Sequence, residues 1–313
     1  MSLKKVNFSI EEVSKEFVYT FVQKYHYSPV FPVLTKHWLG VFLDDSMVGA
    51  VTLGWGTQPK GTIRKMFPNH EFESGDYYEI GKMCMSDDLP KNSESQMIKS
   101  VVNWLKTRDR NLNKDHDRKL FLYTMADGIM GKVGYVYQAS NFYYGGKYWT
   151  DVYMSETGEK IHPRTSKKLC KENAEFVGKP KIFWLTPDFL KSKKMKRVRG
   201  RMFRYIFPLT RKAENILSEY GWNRDYPKNG DLEWQIQSWE KNSSGRCAWN
   251  FVDEKPKFCY DEIEHNKKNV EKYKRKVFDE TDWAKSNVMK TCLLYTSDAA
   301  DEGLGVDLGG RRI

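Results

Sequence analysis

Two strand-like runs, Tyr77 to Ser86 and Lys119 to Ala126, are separated by a single helix-length amphipathic stretch with Met97, Val101, Trp104 and Leu105 on one face. Strand, crossover helix and strand in that order imply a parallel pair, since an antiparallel pair needs only a short turn. A parallel pair is covered on both faces. The remaining signals place it inside a larger mixed sheet, so the expected fold class is α/β with a mixed (α+β) sheet.

Ser9 and Glu12 stand at capping-box spacing ahead of Val13, Phe17 and Phe21, which predicts a first helix from Ser9 to Tyr25. Trp38 to Leu43 and Met47 to Trp55 are apolar runs joined by Asp44, Asp45 and Ser46, the pattern of a hairpin. Gly56 to Gly75 has no periodicity and reads as a long connection, where binding loops are often found. Leu89 to Ser95 turns the chain, and Ser93 with Gln96 repeats the capping-box spacing. Asp127 to Gly134 is a glycine-rich turn before a short helix, Tyr135 to Asn141, and strands are expected at Tyr148 to Met154, Ile182 to Leu185 and Phe203 to Leu209. The domain reading is a catalytic domain over 1–210, an extension of unspecified fold over 211–291, and a tail over 292–313. In that tail CLLYTSDAADE resembles a translated sequencing-adapter read, and it is set aside.

With 40% hydrophobic and 14% aromatic residues in 313, the chain can bury a sizeable core. A net charge of +11 draws such a protein to polyanions. Its five cysteines contain no CxxC pair, which argues against a zinc site or a disulfide framework and for a reducing cytosol. No run reaches the roughly 20 apolar residues of a membrane span, and there is no signal-peptide core, so a soluble intracellular protein is expected.

Five constellations carry chemistry. A strand ending in Asp127 and re-entering a helix leaves a carboxylate and free N–H groups at the carboxyl edge of the sheet, where ligands bind in open α/β folds; Asp127 as a simple turn residue is the ordinary alternative. Lys91, Asn92, Ser93, Glu94 and Ser95 lead into a helix whose free N–H groups can hold an anion such as a pyrophosphate, or can form an ordinary capping box. His26, Tyr27 and Ser28 combine a group titrating near neutrality with a phenol and a hydroxyl, suited to proton transfer or to stacking on an extruded base. Glu79 is a carboxylate among apolar residues, a general base if it faces away from water. Lys191 to Arg204 holds eight Lys or Arg in fourteen residues with no acid, among them Lys194, Lys196, Arg197, Arg199 and Arg201, a density suited to phosphate contacts. His26, His37 and His70 are available to a metal ion, though their spacing does not demand one.

The strings YHYS (Tyr25 to Ser28), Glu79-Ile-Gly81, LPKNSES (Leu89 to Ser95) and ADGIMGKVGYVYQASNF (Ala126 to Phe142) resemble, in order and spacing, the Mom family of phage DNA-modification proteins over roughly residues 20 to 210. The resemblance implies a GNAT-like N-acyltransferase fold. It also implies attachment of a small glycinamide-derived group to the exocyclic N6 amine of adenine in double-stranded DNA, hiding phage DNA from restriction in the host cytoplasm. GNAT enzymes hold acyl-CoA over a glycine-rich turn at the place where this chain has Lys91, Asn92 and Ser93, a turn with no glycine pair, so the donor is expected to be acyl-CoA or, in view of that departure, a different glycine-derived small molecule. In this reading Asp127 is the first choice of base, with Glu79 and His26 next. Tyr27 and Tyr137 flank a flipped adenine, Ser140 and Asn141 position it, and Ser93 offsets developing negative charge. The alternatives are an N-acetyltransferase acting on a protein or small-molecule amine, and a non-catalytic DNA-binding protein.

Overall fold

The computed structural model describes residues 6–258 apart from 27–30, 33, 57–62, 64, 74, 109–118, 162–166, 183–184, 242 and 245–246. In chain order it contains β1 (Ser9–Glu12), α1 (Lys15–Tyr25), β2 (Thr35–Leu43), β3 (Ser46–Gly54), β4 (Tyr77–Met85), α2 (Ser93–Arg108), β5 (Phe121–Asp127), α3 (Tyr135–Ala139) and β6 (Tyr143–Met154). There follow β7 (Lys160–Ile161), α4 (Lys167–Phe176), α5 (Pro187–Ser192), β8 (Lys196–Pro208), α6 (Arg211–Glu219), β9 (Trp234–Lys241) and β10 (Cys247–Val252). All the strands join one mixed sheet in the order β1-β2-β3-β4-β5-β8-β6-β7, with β9 on β8 and β10 on β9. The parallel pair inferred from the crossover is β4 with β5. Among the described residues no helix is long and apolar enough to cross a membrane.

Two layers of side chains sort by strand alternation. On one face α2 buries Met97, Ile98, Val101, Val102 and Leu105 against Leu39, Val51, Ile80, Leu122 and Tyr205. On the other, α1 buries Phe17, Val18, Phe21 and Val22 against Ala50 and Cys84, while α6 buries Ala213, Ile216 and Leu217 against Phe121, Tyr123 and Ile206. The core therefore continues past residue 210, and α6 belongs to it.

The first helix is shorter than its spacing predicts. Ser9–Glu12 pairs antiparallel with β2 as an edge strand, and the helix begins after Ser14. The capping-box spacing there is coincidental, because the Glu12 carboxylate is taken by His37 Nδ1 at 2.5 Å and Arg108 at 2.6 Å. The second capping box does not form either. Ser93 is buried with its hydroxyl donating to the Pro90 carbonyl at 2.6 Å, and the Gln96 side chain accepts from Val6 N–H at 2.7 Å. Of the 56–75 connection, Ile63, Phe67 and Phe72 are buried beneath α6, so its described part is core rather than an open binding loop. No strand forms at the described residues 182 and 185; Ile182 and Leu185 are buried there as loop positions.

After β5 the chain turns back through a 3-10 turn, Gly128–Met130, with Gly131 and Gly134 at φ of 75° and 93°. Gly134 sits directly beneath Tyr205, whose hydroxyl donates to the Val133 carbonyl and accepts from Gln138 Nε2 at 3.0 Å. A methyl at 134 would stand 2.5 Å from the Tyr205 ring, whereas nothing lies within 4 Å of one at 131. Gly134→Ala is therefore expected to lower unfolding free energy by about 3 kcal/mol, combining left-handed strain with overpacking, and Gly131→Ala by about 1 kcal/mol. Denaturant titration of both variants checks this; equal losses would mean the Tyr205 contact is not limiting.

Candidate active site

The ladder between β4 and β5 runs through only three pairs, Tyr77 with Phe121, Tyr78 with Leu122 and Glu79 with Tyr123, after which the strands part. A bulge marks the same level. Leu53 faces Ile80 and Thr52 faces Lys82, so Gly81 is an extra residue on β4. Pro32, from the segment following α1, packs against Gly81, where a Cβ would lie 2.7 Å from the Pro32 ring. The bulge resets the alternation: Glu79 before it and Lys82 after it both face the α1 side, while Ile80 and Met83 face α2. β5 presents Tyr123, Met125 and Asp127 to that same side, and its partners β8 and β6 add Arg204 and Tyr148.

Glu79 lies against Gly56, whose φ of 69° lets the backbone come close enough that any side chain there would strike the carboxylate. It is also near the Tyr123 hydroxyl, which burial pushes well above its ordinary range, with Tyr148 and Glu79 adding to the shift and Arg204 opposing it. The Arg204 guanidinium lies 4.3 Å from the centre of the Tyr148 ring, and the Tyr148 hydroxyl contacts Met125 Sδ at 2.6 Å. Asp127 is differently placed. Its Oδ1 accepts from the N–H groups of Ile129 and Met130 at 3.1 and 3.4 Å, and its Oδ2 takes Lys160 at 2.5 Å. Both oxygens of Asp127, the first-choice base of the sequence reading, are thus engaged by the turn after β5 and by Lys160.

Beyond the bulge, burial lowers the Lys82 ammonium from 10.5 to about 8; Lys160 reinforces the shift, and Asp127 and Cys84 oppose it. Lys160 comes from β7, at the far edge of the sheet, so the long β6–β8 arm curls over the opening to deliver it. Neither lysine, nor Tyr123, Tyr148 or Arg204, stood out from the sequence. A lysine inside the apolar run IGKMCM was the available signal for Lys82, and Arg204 was the last member of the basic run.

The helix start at 93–95 lies at the carboxyl edge of the parallel pair, as does Asp127, but α2 packs on the opposite face from Glu79. Lys91, Asn92 and Glu94 are exposed, and Asn92 adopts φ 69°, a conformation usually left to glycine. Ser93 turns inward, its N–H and its hydroxyl both donating to the Pro90 carbonyl at 3.2 and 2.6 Å, and Ser95 Oγ donates to the Asn92 carbonyl at 2.9 Å, so neither polar group of Ser93 is open to an anion.

Other expected positions are elsewhere. Tyr137 is buried, its hydroxyl bonded to Thr124 and its ring packed against Phe142 and Tyr205, so a base cannot stack on it. Ser140 and Asn141 precede Tyr143, which is level with Tyr123, whereas Asp127 is level with Tyr148. They stand at least four strand steps, roughly 13 Å, from the level of Asp127 and close to the level of Glu79, on the far side of β8, where Asn141 closes the end of α3 with φ 60°. The basic run is not uncompensated. Lys194 pairs with Glu156, Arg197 and Arg199 with Asp151, and Arg201 with Glu233, while Lys196 is exposed. Arg197, Arg199 and Arg201 alternate onto the face away from Glu79, in line with Phe203 and Tyr205; Arg204 joins the Glu79 side through its pairing with Met125, and Lys196 shares its parity at the far end of the strand. His26 closes the carboxyl end of α1, and Tyr27 and Ser28 lie outside the described residues. His37 and His70 pair with Glu12 and Glu219 respectively, and among the described residues no three His, Cys, Asp or Glu cluster as a metal site.

Ionisable groups gathered where two parallel strands part accompany a clear family assignment. Residues 7–228 match the Mom protein family, and the chain belongs to it. It is 27% identical over 211 residues to a protein of Escherichia phage Mu named methylcarbamoylase mom, an alignment covering 67% of this chain and 78% of that relative.

Burial of the Lys82 charge has a measurable consequence. Because its folded pKa lies below its unfolded one, the unfolded chain holds more protons between pH 8 and 10.5, and stability contributed by this site rises with pH across that window. Lys82→Met is expected to stabilise the protein at pH 7 by about 2–3 kcal/mol, an advantage that disappears by about pH 10.5. Chemical unfolding at three pH values reads this directly, and a pH-independent difference would contradict it.

Proposed function

We propose that this protein is a DNA-modification enzyme that transfers a small carbonyl-bearing group to the N6 amine of adenine, protecting phage DNA from restriction in the host cytoplasm. The observation that carries the reading is Glu79 at the last paired rung of β4 and β5, facing an opening lined by Tyr148, Arg204 and Lys82 in a chain of the Mom family. The parted parallel pair, with a helix starting at its carboxyl edge, is also the arrangement expected of a GNAT-like N-acyltransferase. The donor then approaches from the α2 face, with its anionic part at the amides around Asn92 to Ser95, and the base from the α1 face.

Adenine N6 is a weak nucleophile because its lone pair is delocalised into the ring, so its proton must leave as the new bond forms. Glu79 takes that proton. The flipped base stacks at Tyr148, with Arg204 beside it, at an unstacking cost of a few kcal/mol. Asp127 and Lys160 hold the turn that shapes the far wall.

The name of the phage Mu relative favours a methylcarbamoyl group over a glycinamide one, and the two are isomers. Intact nucleoside mass therefore cannot separate them; acid hydrolysis can, since a methylcarbamoyl urea releases methylamine and a glycinamide releases ammonia.

Nucleosides from the DNA of bacteria expressing the chain are expected to contain a heavier deoxyadenosine. Glu79→Gln should reduce its yield by at least about a hundredfold while the protein stays folded, and Asp127→Asn should retain activity to within about tenfold. Unmodified DNA throughout would remove the enzyme assignment, and full activity in Glu79→Gln would remove the base.

A further inference from the structure

Lys82 has no part in the scheme above, yet its position is unusual. It is a half-buried cation on the Glu79 face of β4, one residue past the bulge. Among the described residues its backbone N–H is bonded, to Thr52 Oγ1 at 2.9 Å, while its ammonium makes no hydrogen bond or ion pair. The nearby carboxylate that would serve it, Asp127, is already held by Lys160 and two backbone amides. The fold thus engages Lys160 with Asp127 and leaves the Lys82 ammonium without a partner among the described residues, an arrangement that favours an anion or a strongly polarised oxygen beside it.

We propose that Lys82 binds the carbonyl oxygen of the transferred group and carries the negative charge that develops on it, so that the donor is an activated carbonyl compound. This deepens the reading of the site given above and rests on it. In the step, N6 attacks the carbonyl carbon and the C–N bond forms. The carbonyl π pair moves onto oxygen, against the Lys82 ammonium, and the N6 proton passes to Glu79. The pair then returns, the bond to the leaving group breaks, and that group departs with its electron pair and the proton from Glu79. Nothing is oxidised or reduced. Donation to an oxygen where charge appears only in the transition state acts on turnover more than on binding.

The charged and titratable groups acting on the ammonium are Lys160 from β7, Asp127 from β5 and Cys84 from β4 itself. Burial and Lys160 bring its titration to about 8, so the working protonated form is lost as pH climbs through that value. Steady-state modification of an adenine-containing duplex by the full chain tests this. Lys82→Met is expected to lower kcat by about a hundredfold to a thousandfold with KM for DNA unchanged within about threefold. Lys82→Arg, which keeps the charge at every accessible pH, should restore activity to within about tenfold and abolish the fall in rate above pH 8. A rate that instead rises through pH 8, or a Lys82→Met enzyme within about threefold of wild type, overturns the assignment. A second measurement does not depend on catalysis. In protein whose lysines carry 13C-methyl labels, the resonance missing from Lys82→Arg should move when inorganic phosphate is added, and a stationary resonance counts against an anion site. If that signal moves while no modified adenine is ever found, the DNA-modification reading fails and the oxyanion site stands.

Discussion

The hydrogen-bond ladder that joins β4 to β5 stops after Glu79 and Tyr123, and the arrangement of charge in the protein follows from that interruption. Parallel strands normally continue side by side, because peptide groups left unpaired inside a protein are costly. Here Gly81 adds a residue to β4 at the level of the parting, bending the strand and turning Lys82 to the same face as Glu79. The opening is lined from four strands, by Glu79 and Lys82, by Tyr123 and Asp127, by Arg204 and by Tyr148. Pro32 packs on the bulge, so the segment after α1 is anchored at its rim.

Two carboxylates face this opening, in different surroundings. Asp127 is saturated by Lys160 and two amides, which fixes the turn after β5 and joins the outer arm of the sheet to its centre. Glu79 lies instead beside the Tyr123 hydroxyl and a glycine with left-handed backbone. The same chemical group is locked into a turn in one place and set beside a phenol and a closely approaching backbone in the other.

Much of the fold was legible because it depends on local periodicity. The β2–β3 hairpin, the β4–α2–β5 crossover and the glycine turn after Asp127 all follow from apolar spacing and turn residues. Ser9–Glu12 misled because capping-box spacing can occur by chance, and its strand exists only through pairing with β2 across more than twenty residues. The site was less legible. Glu79 was visible as a charge in an apolar strand, but which face it occupies depends on the Gly81 bulge, which no alternation rule reports. Lys160 is distant in sequence from Asp127, and the acids that neutralise Arg197, Arg199 and Arg201 come from β6 and the segment before β9, so a run without acids looked more strongly cationic than the folded surface is. Tyr137 looked like a stacking platform because nothing in its neighbours reveals that Thr124, Phe142 and Tyr205 enclose it.

The added residue at Gly81 also limits how the chain can vary in length. Deleting it would keep Lys82 on its present face, since Ile80 and Lys82 already oppose consecutive residues of β3, but would remove the bend and the surface on which Pro32 packs; a second added residue that the bulge did not absorb would instead turn Lys82 toward the apolar layer under α2 and Met83 into the polar gap. The turn at Asp44 and Asp45, by contrast, lies at the surface with both strands already registered by their own pairs, and can absorb an insertion without reversing any side chain. Drift in length is thus open to the hairpin tip and closed to the seam.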